Sequence, residues 1–187
     1  MFFIKMPSYY GKEDKRRTKK RKEEKMNITQ MRIDDRLIHG QIVTAWISAT
    51  KATTIIVADD IASKDAMQQM LLKLTVPSGI NLIIKSINET AKFLKEDSGQ
   101  VNALLIVRNP AAALALLKEG FTIKELNVGN ISNSKSETGR KCLLPFIYVE
   151  EHDVNCLREI SKLGVSLEIR AVPNDKSIDC LSLIKDL

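Results

Sequence analysis

The chain has 187 residues, room for one ordinary domain with its own core and too little for two large ones. Apolar residues make up 44% of it, with 8 Gly and 5 Pro, which excludes a collagen-like or low-complexity chain. Its net charge of +6 points toward nucleic acid only until it is divided: residues 1–25 hold ten Lys/Arg against four Asp/Glu, and residues 26–187 hold nineteen of each.

The first segment, MFFIKMPSYYG followed by KEDKRRTKKRKEEK, has no apolar period after Tyr10. It reads as a basic disordered extension, residues 1–25, ahead of a folded domain at 26–187, with Met26 the natural start. Such an arm can bind nucleic acid or anionic lipid, but the charge-balanced remainder adds no second signal, so no nucleic-acid partner is expected. MFFI is too short for a signal-peptide core, and no later stretch reaches the roughly 18 apolar residues of a membrane span, which predicts a cytoplasmic protein.

From Ile28 onward, short β-branched runs alternate with amphipathic stretches. Strands are predicted at 28–33 (ITQMRI), 53–58 (TTIIVA), 80–85 (INLIIK), 102–107 (NALLIV), 125–128 (ELNV), 144–149 (LPFIYV) and 165–170 (VSLEIR). Helices are predicted at 40–49, 63–74, 88–95, 110–118, 151–163 and 177–184. Ser63, Asn88 and Asn109 (followed by Pro110) supply start signals, and Gly120 and Gly164 supply stops. This alternation predicts an α/β fold: an open, mostly parallel, doubly wound sheet of about seven strands with helices on both faces. The three cysteines, Cys142, Cys156 and Cys180, have no CxxC spacing, which argues for free thiols and against a zinc site.

In an open α/β sheet, ligands bind beyond the carboxyl ends of the strands. That edge carries 34–39, 59–63, 86–88, 108–110 and the polar loop 129–140. His39 stands there, behind Asp34-Asp35-Arg36 and ahead of the helix predicted from Gly40. The first amides of a helix lack carbonyl partners and carry partial positive charge, so a phosphoryl group fits beside them. The phosphate-binding set on this reading is Leu37, Ile38, Gly40 and Gln41 around the helix start, with Arg36 as the guanidinium. Arg108, after the fourth strand, is either a second cation for the phosphate or the partner of an acid. A neutral imidazole is a competent nucleophile at neutral pH, and Asp34, which would repel phosphate, is assigned to orient it or to hold Arg36. His152, between Glu151 and Asp153, reads as an exposed first-turn residue. Neither GxGxxG, GxxxxGK[ST] nor GxSxG occurs, and no metal-ligand spacing or cofactor signature is present. The competing reading is a small-molecule or nucleotide-phosphate-binding module without carrier activity.

RIDDRLIHGQ (32–41) resembles the phosphorylation-site signature of the enzyme IIB components of the mannose/fructose/sorbose family of the bacterial phosphoenolpyruvate-dependent sugar phosphotransferase system. LLKLTVPSG (71–79), NP (109–110), NVG (127–129) and LEIRAVPND (167–175) are similar to later landmarks of that family, in the same order, over about residues 27–187. The resemblance implies a phosphotransferase in which His39 accepts a phosphoryl group from a IIA component. It would pass the group to a sugar held by membrane-embedded IIC and IID components, placing the protein peripherally at the membrane. Arg36 matches the family's site arginine, and self-association into a homo-oligomer is compatible with this role. Asn130, where the family often has a second glycine, is a departure, as is the long basic arm.

Overall fold

The computed structural model describes residues 26–95, 100–132 and 139–187; the basic arm and most of the polar loop after Ser132 lie outside these. In chain order the elements are β1 (Met26–Asp34), α1 (residues 40–50), β2 (Thr54–Ala58), α2 (Ala66–Thr75), β3 (Asn81–Lys85), α3 (Ile87–Lys95), β4 (Val101–Val107), α4 (Pro110–Lys118) and β5 (Glu125–Asn130). They are followed by β6 (Lys141–Leu144), β7 (Ile147–Val149), α5 (Glu151–Lys162), β8 (Ser166–Ile169), β9 (Ile178–Asp179) and α6 (Cys180–Leu183). The main sheet has seven strands in the order β3-β2-β4-β1-β5-β8-β9, parallel except for β9 against β8.

Every residue of β2 is buried, as expected of a central parallel strand covered on both faces. Its alternating side chains feed two cores. Ile56 and Ala58 join Leu105, Val107 and Met31 beneath α3, α4 and α5, while Ile55 and Val57 join Leu104, Ile106, Ile42, Trp46 and Leu72 beneath α1 and α2. Helices therefore cover both faces. β1 leads to β2 on one side and β5 leads to β8 on the other, so the chain's direction of travel reverses between β1 and β5. In open α/β sheets ligands bind at such a reversal, outside the carboxyl ends of the strands.

Two predicted elements differ. Residues 144–149 are not one strand of the main sheet: Pro145 and Phe146 turn the chain, leaving the separate antiparallel pair β6 and β7. The predicted helix 177–184 starts as β9, which takes the sheet edge, and only its second half winds into α6. The seventh strand is thus β9. Helix starts also shift locally. α2 begins at Ala66, because the Asp65 carboxylate, rather than Ser63, accepts from the Met67 and Gln68 amides at 2.9 and 3.0 Å. α3 is opened by Ser86, which exchanges hydrogen bonds with Glu89 as a capping box, rather than by Asn88. Asn109 caps α4 as expected, accepting from the Ala112 amide at 2.8 Å.

All three thiols are free; Cys142 is exposed, Cys156 and Cys180 are buried, and burial pushes the Cys180 thiol up to about 12. A neutral-pH titration with a thiol reagent is expected to modify Cys142 alone in the folded chain and all three in denaturant. Fast reaction of Cys180 in the native protein would contradict the packing of α6.

Candidate active site

β1 delivers its last residue, Asp34, fully buried to the carboxyl edge. The chain then turns sharply: the Leu37 amide donates to the Asp34 carbonyl at 3.0 Å, and Leu37 itself lies at φ +59. A branched residue in the left-handed region costs on the order of 1 kcal/mol or more. Complete burial of the Leu37 side chain in the core beneath α1 offsets that cost. Its amide is consequently spent inside the turn and is not offered to an anion, in contrast to its place in the predicted phosphate-binding set. Ile38 is also packed into this core. His39 follows, its carbonyl accepting from the Val43 amide at 3.2 Å, so that the ring stands at the mouth of α1. The middle of α1, Ile42–Trp46, is wound as a π-helix, a distortion common beside functional sites.

The His39 ring turns back on β1, with Nε2 2.8 Å from Asp34 Oδ2. The same oxygen accepts from Arg32 Nη2 at 2.9 Å and Nε at 3.2 Å. Asp34 Oδ1 accepts the Arg36 amide at 3.2 Å and pairs with Arg36 Nε at 3.5 Å. Burial alone would push the Asp34 carboxyl up, but the His39 hydrogen bond and the Arg32 charge outweigh it and hold it below the usual carboxylate range. Arg36 is half-exposed, and its Nη2 donates to Gln41 Oε1 at 3.2 Å. The His39 side chain keeps 16% exposure, so the ring is not sealed in the core. Around Gly40 the helix start is open: a methyl added there would meet nothing within 4 Å.

Two further carboxylates brace the loop. Asp59, after β2, forms a fork with Arg108, Nε to Oδ2 at 2.6 Å and Nη2 to Oδ1 at 2.8 Å. Arg108 also donates to the Asp35 carbonyl at 3.2 Å and to Gln68 of α2. Of its two sequence readings, the structure therefore realises pairing with an acid, and Arg108 ties α2 to the loop. Asp35 accepts the Asn130 side-chain amide, the Ser132 hydroxyl and the Ser132 amide. Asn130, the departure from the family pattern, is thus occupied in holding the loop. His152 is exposed in the first turn of α5, 3.8 Å from Cys156 Sγ, and takes no part here. Among the described residues, no three His, Cys, Asp or Glu are grouped to hold a metal ion.

Sequence reading missed Arg32, Asn127, Gly129 and Trp46. Arg32 Nη1 donates to the Asn127 side chain, its guanidinium lies 4.9 Å from the Trp46 ring centroid, and Gly129 backs onto it. The usable signal was a charge between Met31 and Ile33 in a strand flanked on both sides, where an unpaired cation would be prohibitive.

Asp34 and Asp59 both titrate below their ordinary value, Asp59 because the Arg108 fork and backbone amides override the effect of burial. Each adds stability that is complete above the unfolded value near 3.8 and is lost as pH falls through the lower folded value. Urea midpoints are expected to hold down to about pH 5 and to fall below about pH 4, more steeply in wild type than in Asp59→Asn. Equal slopes would remove Asp59 from this account.

Comparison with known proteins gives concordant matches. The family model described as PTS system sorbose subfamily IIB component matches residues 28–187. The fructose-specific EIIB component of Bacillus subtilis is 34% identical over 87% of this chain and 98% of its own. The sorbose-specific EIIB component of Klebsiella pneumoniae is 32% identical over 86% and 97%. The crystal structure of the IIB domain of the Klebsiella pneumoniae sorbose permease superposes with a TM-score of 0.77 at 31% identity, covering 86% of this chain and 98% of that one.

Proposed function

Since this chain belongs to the sorbose subfamily of phosphotransferase-system IIB components, phosphoryl carriers in sugar uptake, we propose that His39 is its carrier residue and Nδ1 the nitrogen that bears the phosphoryl group. The observation that carries this reading is the 2.8 Å approach of Nε2 to a buried carboxylate held ionised. An Nε2–H donated to Asp34 leaves the lone pair on Nδ1, at the ring edge that Asp34 does not hold.

Transfer between two imidazoles asks the protein for position and charge. The Nδ1 lone pair attacks the phosphorus of a donor phosphohistidine in line; the donor N–P bond breaks and its electron pair returns to the donor ring. The His39 ring gains positive character as the new bond forms, and Asp34 stabilises it through Nε2–H. Arg36 and the first amides of α1, at Gly40 and Gln41, meet the equatorial oxygens. In the second transfer a sugar hydroxyl attacks the phosphorus and gives up its proton to a base of the component that holds the sugar, while the N–P bond breaks and its electron pair returns to Nδ1.

The protein works with other components of the system. The donor on this reading is a IIA component, and the acceptor is a sugar held by IIC and IID, to which the carrier docks at the membrane face. No helix among the described residues is long and apolar enough to cross a membrane. The test is incubation with labelled phosphoenolpyruvate, the general phosphotransferase proteins and a IIA component. Acid-labile label on the peptide containing His39, with the phosphorus resonance of an Nδ1 phosphohistidine, is the expected result. Label on any other residue would sink the assignment.

A further inference from the structure

A carboxylate that orients a histidine needs only one contact, yet Asp34 is shared with a second, entirely buried cation. All five N–H donors of Arg32 are taken. Nε and one Nη2 proton go to Asp34 Oδ2, the other Nη2 proton to the Ala171 carbonyl at 3.3 Å, and the Nη1 protons to the Asn127 side chain and the Arg170 carbonyl at 3.0 Å. The Trp46 ring meets both Arg32, 4.9 Å from its centroid, and Arg170, 5.6 Å from it, and Trp46 Nε1 donates to the same Ala171 carbonyl. The cage fits a planar fork and would leave acceptors unmet around an ammonium. Arg32 has no N–H left to offer a phosphate, since all five are committed to Asp34, Asn127, Arg170 and Ala171.

We propose that Arg32 is a positioning residue for phosphoryl transfer: by clamping the Asp34 oxygen that faces His39 and sharing its charge, it fixes the Nε2–H tautomer while keeping the imidazole neutral and Nδ1 nucleophilic. This rests on His39 being the carrier. Without Arg32, Asp34 Oδ2 would be left with His39 as its partner while Arg36 stays on Oδ1, so more of the carboxylate's charge would fall on His39, which would then retain a second proton on Nδ1. The other charged groups facing this pair are Arg36 beside Asp34 Oδ1 and Glu168, and Glu168 is committed to Arg170 at 2.7 and 3.0 Å. Arg32 is thus the buried cation that moderates Asp34.

The experiment uses the full chain labelled with 15N at histidine, as wild type, Arg32→Met and Arg32→Lys. Ring-nitrogen shifts are followed against pH, alongside the pH profile of phosphoryl acceptance from a phosphorylated IIA component. Wild type is expected to hold the Nε2–H tautomer. In Arg32→Met the His39 titration midpoint is expected to rise by about one pH unit, with the acidic limb of the acceptance rate moving equally and the donor KM unchanged. Arg32→Lys is expected to fall between, because it restores charge without the fork. A folded Arg32→Met with wild-type ring shifts and pH profile overturns the proposal, as does an Nδ1–H ring in wild type. Failure of both variants to fold leaves Arg32 a structural role alone and overturns it too. Absence of label on wild-type His39 instead defeats the carrier assignment, which the ring-nitrogen measurement does not depend on.

Discussion

His39→Ala is expected to lower phosphoryl acceptance by at least about 10³-fold, with no residual label on the chain, since removing the nucleophile removes the covalent step. Stability should change by only about 1 kcal/mol, because Asp34 keeps its contacts with Arg32 and Arg36 and the histidine already reaches solvent. Asp34→Asn should retain the nucleophile but lose the oriented tautomer, costing roughly 10²-fold in rate. Arg36→Ala should cost about 10-fold or somewhat more; its half-exposed side chain acts in a partly aqueous field, where one charge contributes less than in a closed site. Initial rates of label transfer from phosphorylated IIA, at saturating donor, rank the three. The order is diagnostic. A phosphate-binding module without carrier activity would take up no covalent label in any of the chains, whereas a carrier loses label most with His39→Ala, less with Asp34→Asn and least with Arg36→Ala.

How much of this was visible in the sequence depended on the distance over which each feature is assembled. β2, β3 and β4 could be placed within a residue or two because they are short apolar runs, rich in β-branched residues and bounded by polar segments, β2 and most of β4 being buried and β3 a half-buried edge strand. The part of the loop that sets His39 was legible for another reason: the contacts of Asp34 with Arg36 and His39, and of Arg36 with Gln41, span two to five residues, so the local pattern of charge, histidine and glycine carries that geometry. The Asp35 contacts to Asn130, Ser132 and Arg108 are long-range. The Arg32 cage was not legible. Its contacts to Asn127, Arg170 and Ala171 span 95, 138 and 139 residues, and only the parallel pairing of β1 with β5 and β5 with β8 brings them together. The misread stretch 144–149 shows another limit: Pro145 cannot donate in the interior of a sheet, a constraint that outweighs the β propensity of the residues after it. At 177–184 the apolar spacing suited a helix, but the free edge of β8 recruited the first residues as a strand.

The same cage predicts that Gly129→Ala will destabilise the protein by about 3–5 kcal/mol, the usual cost of breaking a buried ion pair. Between Ile33 paired with Val128 and Asp34 paired with Asn130, Gly129 is the extra residue of a β-bulge. A Cβ there would lie 1.9 Å from Arg32 Cζ and 2.2 and 2.3 Å from its two terminal nitrogens, closer than any real contact. The guanidinium would have to leave Asp34, stranding both charges away from water. In an Arg32→Ala background the new methyl group enters space the guanidinium has vacated, so the same substitution should cost about 1 kcal/mol or less. Urea unfolding of the four chains therefore gives a coupling energy of roughly 2–4 kcal/mol between positions 32 and 129. Gly40→Ala, with open space around the added carbon, serves as the reference and should change stability by no more than about 1 kcal/mol. If Gly129→Ala were equally costly in both backgrounds, the backbone of the bulge itself, and not the cation behind it, would be what demands glycine.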